Sequence, residues 1–195
     1  KVPIDGRRLQ FTGEAVRVTS GSGIEESLRV AGDRLIFSNL SENADVWVLP
    51  IEPNSAKVTG KLQRITEEVA PNDTASVDSA GRYTAFRTYR GGANNIVLRD
   101  LSTGQERILA TTQMFMAQPR ISPDGKQVAY NALVAGKEVI QIVPAAGGPP
   151  RHVAEGLRLR GFASDGRRLI VGKEYDLGLL DLDTGKIRLL LRPPV

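Results

Sequence analysis

At 195 residues, with 41% hydrophobic and 25% charged residues, the chain can bury one sizeable core, and its composition is neither that of a disordered segment nor that of a collagen. The absence of cysteine removes disulfides, thiolate zinc sites and a cysteine nucleophile. Its net charge of +4 is interspersed and forms no basic stripe of the kind nucleic-acid binding needs, and no apolar stretch approaches the length of a membrane-spanning segment.

In chain order, residues 1–23, "KVPIDGRRLQFTGEAVRVTSGSG", read as the outer strands of a partial unit. They start at Lys1 without an initiator Met or an apolar leader, as a mature or excised piece of a longer protein would. Four similar lines follow: "SLRVAGDRLIFSNLSENADVWVLPIE" (27–52), "ASVDSAGRYTAFRTYRGGANNIVLRDLSTGQERIL" (75–109), "PRISPDGKQVAYNALVAGKEVIQIVPAAGGPPRHV" (119–153) and "RGFASDGRRLIVGKEYDLGLLDLDTGKIRLL" (160–190). Their anchor glycines, Gly32, Gly81, Gly125 and Gly166, lie 41 to 49 residues apart. The segment "PNSAKVTG" (53–60) lengthens the first interval and reads as a surface insertion.

Each line follows one grammar. A short strand enters a glycine turn, which supplies the positive φ that a tight hairpin needs. An apolar strand follows ("LIF", "YTAF", "QVAY", "RLIV"), then a polar loop expected to run about six to nine residues. A third strand comes next ("DVWVLPI", "NIVLRDL", "VIQIVPA", "LGLLDL"), then a second turn, clearest in "DLSTGQ" and "DLDTGK", and a more polar fourth strand. Four antiparallel strands recurring at this period are the pattern of β-propeller blades. Blades stacked face to face bury both sides of their middle strands, which explains apolar residues on both parities at Leu177, Leu179, Leu180 and Leu182. The window "ERILATTQMFMAQ" (106–118) also has helical spacing, but the repeat register predicts an outer strand and a loop there.

The predicted fold class is therefore all-β: a propeller of four-stranded antiparallel blades, about four complete and one partial, forming a portion of a larger propeller. The predicted boundaries are 1–23 for the partial blade and 24–70, 71–112, 113–155 and 156–195 for the complete ones.

The lines resemble the WD40-like (PD40) repeats of the TolB family of bacterial propellers. The resemblance rests on "ISPDGKQVAY" (121–130), "VPAAGGPPRHV" (143–153), "ASDGRRLIV" (163–171), "LLDLDTGKIRLL" (179–190) and "RTYRGGANNIVLRDLSTGQERIL" (87–109). It covers residues 24–195. The first line departs from it, with "VAGD" where Ser-Pro-Asp-Gly is usual. The resemblance implies a bacterial sensor or interaction module, periplasmic or otherwise extracytoplasmic, or the propeller of a serine peptidase whose catalytic domain is elsewhere.

No catalytic pattern is expected. His152 is the sole histidine, too few for a multi-histidine metal site. A Gly-x-Ser-x-Gly nucleophile elbow and a Walker loop are both missing. Asp181 and Asp183 read as turn residues and not as a calcium loop. The expectation is a non-enzymatic module without a cofactor or metal site. The binding surface is expected where the loops entering the first strands meet those between strands two and three. The first set supplies Glu25, Glu26, Asp73, Met114, Phe115, Met116, Arg158 and Arg160. The second supplies Glu42, Asn43, Asp45, Tyr89, Arg90, Asn94, Asn95, Lys137, Glu174, Tyr175 and Asp176. Mixed charge with Phe, Tyr and Met suits a protein or peptide partner, and open blade edges suit a homo-oligomer.

Overall fold

The computed structural model describes residues 3–5, 7–8, 10–14, 16, 24–31, 34–40, 44–52, 54–67 and 71–192. They contain strands and turns only. The chain divides into two units, residues 1–42 and 43–195, each described by itself.

In the first unit β1 (Ile4–Asp5) pairs antiparallel with β2 (Gln10–Phe11), and β3 (Ile24–Ala31) with β4 (Arg34–Leu40). The β3–β4 register slips between Glu26 and Arg29, where Ser27 adopts a φ of 57° in a β-bulge. Gly32 lies outside the described residues.

The second unit begins with β5 (Trp47–Val48), β6 (Ile51–Glu52), β7 (Lys57–Val58) and β8 (Gln63–Arg64). Strand β5 pairs with β8 and β6 with β7, so "PNSAKVTG" extends a hairpin, and its described residues are exposed.

Three four-stranded antiparallel sheets follow, each joined strictly in sequence order. The first holds β9 (Asn72–Val77), β10 (Tyr83–Arg90), β11 (Ala93–Asp100) and β12 (Glu106–Thr112). The second holds β13 (Met116–Ile121), β14 (Gln127–Val134), β15 (Lys137–Pro144) and β16 (Arg151–Glu155). The third holds β17 (Arg158–Phe162), β18 (Arg168–Lys173), β19 (Asp176–Asp181) and β20 (Ile187–Leu191). The window with helical spacing is thus β12, a short loop and the start of β13.

The turns follow from aspartate and glycine chemistry. Between strands one and two, Asp78 accepts from the backbone N–H groups of Arg82 and Tyr83, each at 2.8 Å, and Asp165 accepts from those of Arg167 and Arg168 at 2.9 and 3.2 Å. Gly81, Gly125 and Gly166 close these turns at φ of 67°, 71° and 67°. Between strands three and four, Asp100 and Asp181 hold the turns that end in Gly104 and Gly185. The Ser102 hydroxyl, with the backbone bonds behind it, holds the Asp100 carboxyl down at about 2.

The connection between strands two and three differs from the expected polar loop. Strands β10, β14 and β18 run on to two-residue turns at Gly91–Gly92, Ala135–Gly136 and Glu174–Tyr175. Gly91 and Gly92 take φ of 65° and 74°, and Ala135 and Gly136 take 49° and 78°. Positive φ at both positions matches the twist of paired strands and lets the ladder continue to the turn. Asn94, Asn95 and Lys137 are therefore strand residues.

Packing between sheets forms the core. Alternate residues of a middle strand serve opposite neighbours: Ile96 and Leu98 of β11 face the second sheet, while Val97 packs with Phe86, Val46 and Ile65. In β15, Val139 and Val143 face the first sheet, while Ile140 and Ile142 join Leu159, Leu169, Val171 and Leu180. Each fully buried aliphatic side chain contributes roughly 1.5–3 kcal/mol. Tyr130 lies within the first interface, where its hydroxyl donates to Gln141 Oε1 at 3.0 Å, and burial raises its phenol to about 12. The first strands converge, β9 on β13 and β13 on β17, so the sheets fan out as propeller blades do.

Candidate functional site

The start of each first strand, the turn between strands two and three and the end of each fourth strand share one end of a sheet. Three cross-strand registers show this: Asn72 with Thr88, Arg158 with Gly172, and Val139 with Glu155. We term this the leading end.

The expected site residues divide into three groups. Glu25 and Glu26 lie on β3 in the first unit, and Glu42 and Asn43 lie outside the described residues. A second group is engaged in holding the fold. Asp45 Oδ1 accepts from Arg64 Nη2 at 2.9 Å and from Thr66 Oγ1 at 3.0 Å, which fastens β5 to β8. Asp73 Oδ1 accepts from Arg87 Nε at 2.8 Å, and their second pair of atoms, Nη2 and Oδ2, bonds as well. Arg90 reaches Glu106 at 3.1 Å, Lys137 reaches Glu155 at 3.0 Å, and Met116 is buried in the core. Asp176 pairs with Arg192 at 2.9 Å and raises that guanidinium's pKa. Tyr89 is exposed on β10 and lines neither cavity described next.

The third group converges. Phe115, Arg158, Arg160 and Tyr175 line two adjoining cavities at the leading end, between the second and third sheets. The smaller, about 140 Å³, is mainly apolar, with Phe115, Ala117 and Ala132 on its walls. The larger, a groove of about 430 Å³, runs past Gly156, Arg160, Gly172, Lys173 and Glu174 to Tyr175. Glu138 and Arg158 border both. Phe115 is half-exposed and Tyr175, at 83%, nearly fully so.

Three devices build this surface. Buried Asn131 on β14 donates from Nδ2 to the Leu157 carbonyl at 3.1 Å and accepts at Oδ1 from Leu159 N–H at 3.0 Å. It thereby clamps the start of the third sheet and aims Arg158. Gln118 sits at a φ of 54° in a β13 bulge, and the matching slip in β17 falls between Leu159 and Gly161, at Arg160. Gly172 leaves room for Arg160, whose Nε lies 3.2 Å from where a Cβ would stand.

Sequence reasoning missed Gln118, Asn131, Glu138 and Lys173. Asn131 carried a signal, being a polar residue in the apolar run "QVAYNALV", where burial demands a partner. A larger cleft of about 720 Å³ lies between turns at the opposite end, lined by Arg82, Asp100, Asp124 and Lys126. Its carboxylates are already engaged: Asp100 binds Ser102 and Thr103, Asp124 accepts from the Ser122 hydroxyl, and Glu106 pairs with Arg90 and Arg99. Among the described residues no cluster of three or more His, Asp or Glu could hold a metal ion, and no helix is long and apolar enough to cross a membrane.

Comparison with known proteins places the fold. No family model matches the chain. Tricorn protease homolog 1 of Streptomyces coelicolor is 27% identical over 109 residues, which cover 54% of this chain and 10% of that protein. The structure of a TolB from Agrobacterium tumefaciens superposes with a TM-score of 0.57 and 20% identity, over 68% of this chain and 50% of that one. The β-propeller domain of the trilobed protease from Pyrococcus furiosus gives a TM-score of 0.52 and 19% identity, over 64% of this chain and 43% of that one. The chain thus spans about half the length of that TolB and a tenth of its protease relative. The fold is that of a β-propeller, and the sheets described here form part of one.

Proposed function

We propose that the chain is a non-catalytic docking module that presents a rigid groove to a protein or peptide partner. The observation that carries this reading is the convergence of Phe115, Arg158, Arg160 and Tyr175, from separate loops and strands, on cavities between two sheets. Such a surface needs no motion to assemble, because strand pairing and the Asn131 clamp fix its walls in advance. On this reading the repeats are of the TolB type, with blades at 24–70, 71–112, 113–155 and 156–195. The compartment is extracytoplasmic, and the groove acts by binding, without metal or cofactor.

A second reading has its own support in the relative from Streptomyces coelicolor and the propeller of the trilobed protease, both protease components. There the groove would orient substrate for a hydrolase domain carried elsewhere.

Photocrosslinking tests both. Benzoylphenylalanine at position 175 in the native host is expected to trap one partner, and the same group at 126, at the opposite end, is not. Equal yields at the two positions would overturn the docking reading. A trapped species that hydrolyses peptides with this chain would select the second.

A further inference from the structure

We infer that the groove is selective for acidic peptides, namely an extended segment with an apolar side chain next to one or more carboxylates. This rests on the docking reading above.

Charge pairing at the leading end carries the argument. Arg87, Lys137 and Arg192 there are each matched to a carboxylate: Asp73, Glu155 and Asp176. Arg158, Arg160 and Lys173, all exposed along one groove, form no ion pair among the described residues. Against Glu138 and Glu174 on the same groove these three cations leave the wall net positive, and that field favours anionic groups and speeds their encounter. The adjoining apolar cavity of about 140 Å³ shares Arg158 with that wall, so one ligand can fill both. A cavity of that size takes one aliphatic side chain against Phe115 while the neighbouring carboxylate meets the Arg158 guanidinium, in bidentate geometry if it approaches in plane.

Two acids decide between a peptide and a nucleic acid. Glu138 stands at the junction and Glu174 at the far rim. Both repel a continuous run of phosphates along the groove more than a peptide whose few carboxylates can sit at the cations alone, and a peptide also offers backbone N–H groups from which Glu138 can accept. Glu138 therefore reads the main chain while the cations read the side chains.

The test pans a random-heptapeptide display library against the full chain and measures the recovered peptides by fluorescence anisotropy at two salt concentrations. The expected consensus places Asp or Glu beside Leu, Ile or Met. Replacing the peptide's acids by their amides should weaken binding at least tenfold. Arg158→Gln with Lys173→Gln should do the same, and Phe115→Ala should relax the preference for the apolar residue. Recovered peptides that lose affinity with Phe115→Ala but show no acidic preference would overturn the charge selectivity and leave the docking reading standing. Failure to recover any peptide, or binding indifferent to all three substitutions, would overturn both. A single-stranded oligonucleotide that bound more tightly than the best peptide would also overturn the proposal.

Discussion

Asn131 and Leu159 belong to different sheets, yet the Leu159 N–H donates to Asn131 Oδ1 at 3.0 Å while Asn131 Nδ2 holds the Leu157 carbonyl at 3.1 Å. One buried side chain thus satisfies two backbone groups of the incoming strand and fixes the wall that carries Arg158. Asn131→Ala should destabilise the fold by about 2–3 kcal/mol, since it orphans a buried donor and acceptor. Urea denaturation measures the loss. Asn131→Asp keeps the acceptor for Leu159 N–H but sets a buried carboxylate oxygen against the Leu157 carbonyl, so it should destabilise at least as much as alanine; variants as stable as the native protein would show that the clamp carries no energy.

Glycine at the turns should divide by its surroundings. Gly136 and Gly125 both have positive φ, 78° and 71°, but only Gly125 is crowded: a Cβ there would lie 3.2 Å from both Asp78 Oδ2 and Tyr83 Cδ2. Gly136→Ala should cost about 1–2 kcal/mol through backbone strain alone. Gly125→Ala should cost roughly 1 kcal/mol or more beyond that, because it also pushes apart two sheets. Thermal melts of the two variants side by side provide the comparison.

Acid should unfold the protein through its turns. The carboxyls of Asp100, Asp124, Asp165 and Asp181 are all held below their ordinary value by hydrogen bonds, Asp100 at about 2. The unfolded chain binds those protons more readily, so the stabilisation is complete above about pH 4 and is lost as pH falls toward about 2. The urea midpoint should decline across that window. Asp100→Asn, which keeps the acceptor oxygen but cannot titrate, should flatten the decline.

Much of this was legible in the sequence, for local reasons. "DLSTGQ" and "DLDTGK" encode their turns through an aspartate that accepts the next backbone N–H groups and a glycine at positive φ, a chemistry contained within five residues. The apolar middle strands announced burial on both faces. The leading end was harder to read. Tyr89, Asn94 and Lys137 looked like loop residues because polarity alone cannot distinguish a solvated strand end from a loop. Asp45 and Asp73 looked available because their partners, Arg64 and Arg87, lie 19 and 14 residues away in sequence. Charge pairing across strands depends on register, which a turn two residues long sets differently from a loop of eight.

The last strand presents an apolar edge. Ile187, Leu189, Leu190 and Leu191 of β20 are each about half exposed, and among the described residues β20 pairs with β19 alone. An open strand of this kind pairs with other chains. Sedimentation velocity should show association that rises with concentration, and Leu189→Lys with Leu191→Lys should suppress it while leaving the strand content unchanged by circular dichroism.

Methyl-labelled nuclear Overhauser spectroscopy tests the stacking of the sheets most directly. The account predicts cross-peaks from Ile140 and Ile142 to Leu169, Val171 and Leu180, and separate cross-peaks from Val139 and Val143 to Ile96 and Leu98. Residues 139 and 140 contacting the same neighbouring sheet, or Ile96 in contact with Leu180, would contradict it, and the groove that depends on this stacking would be lost with it.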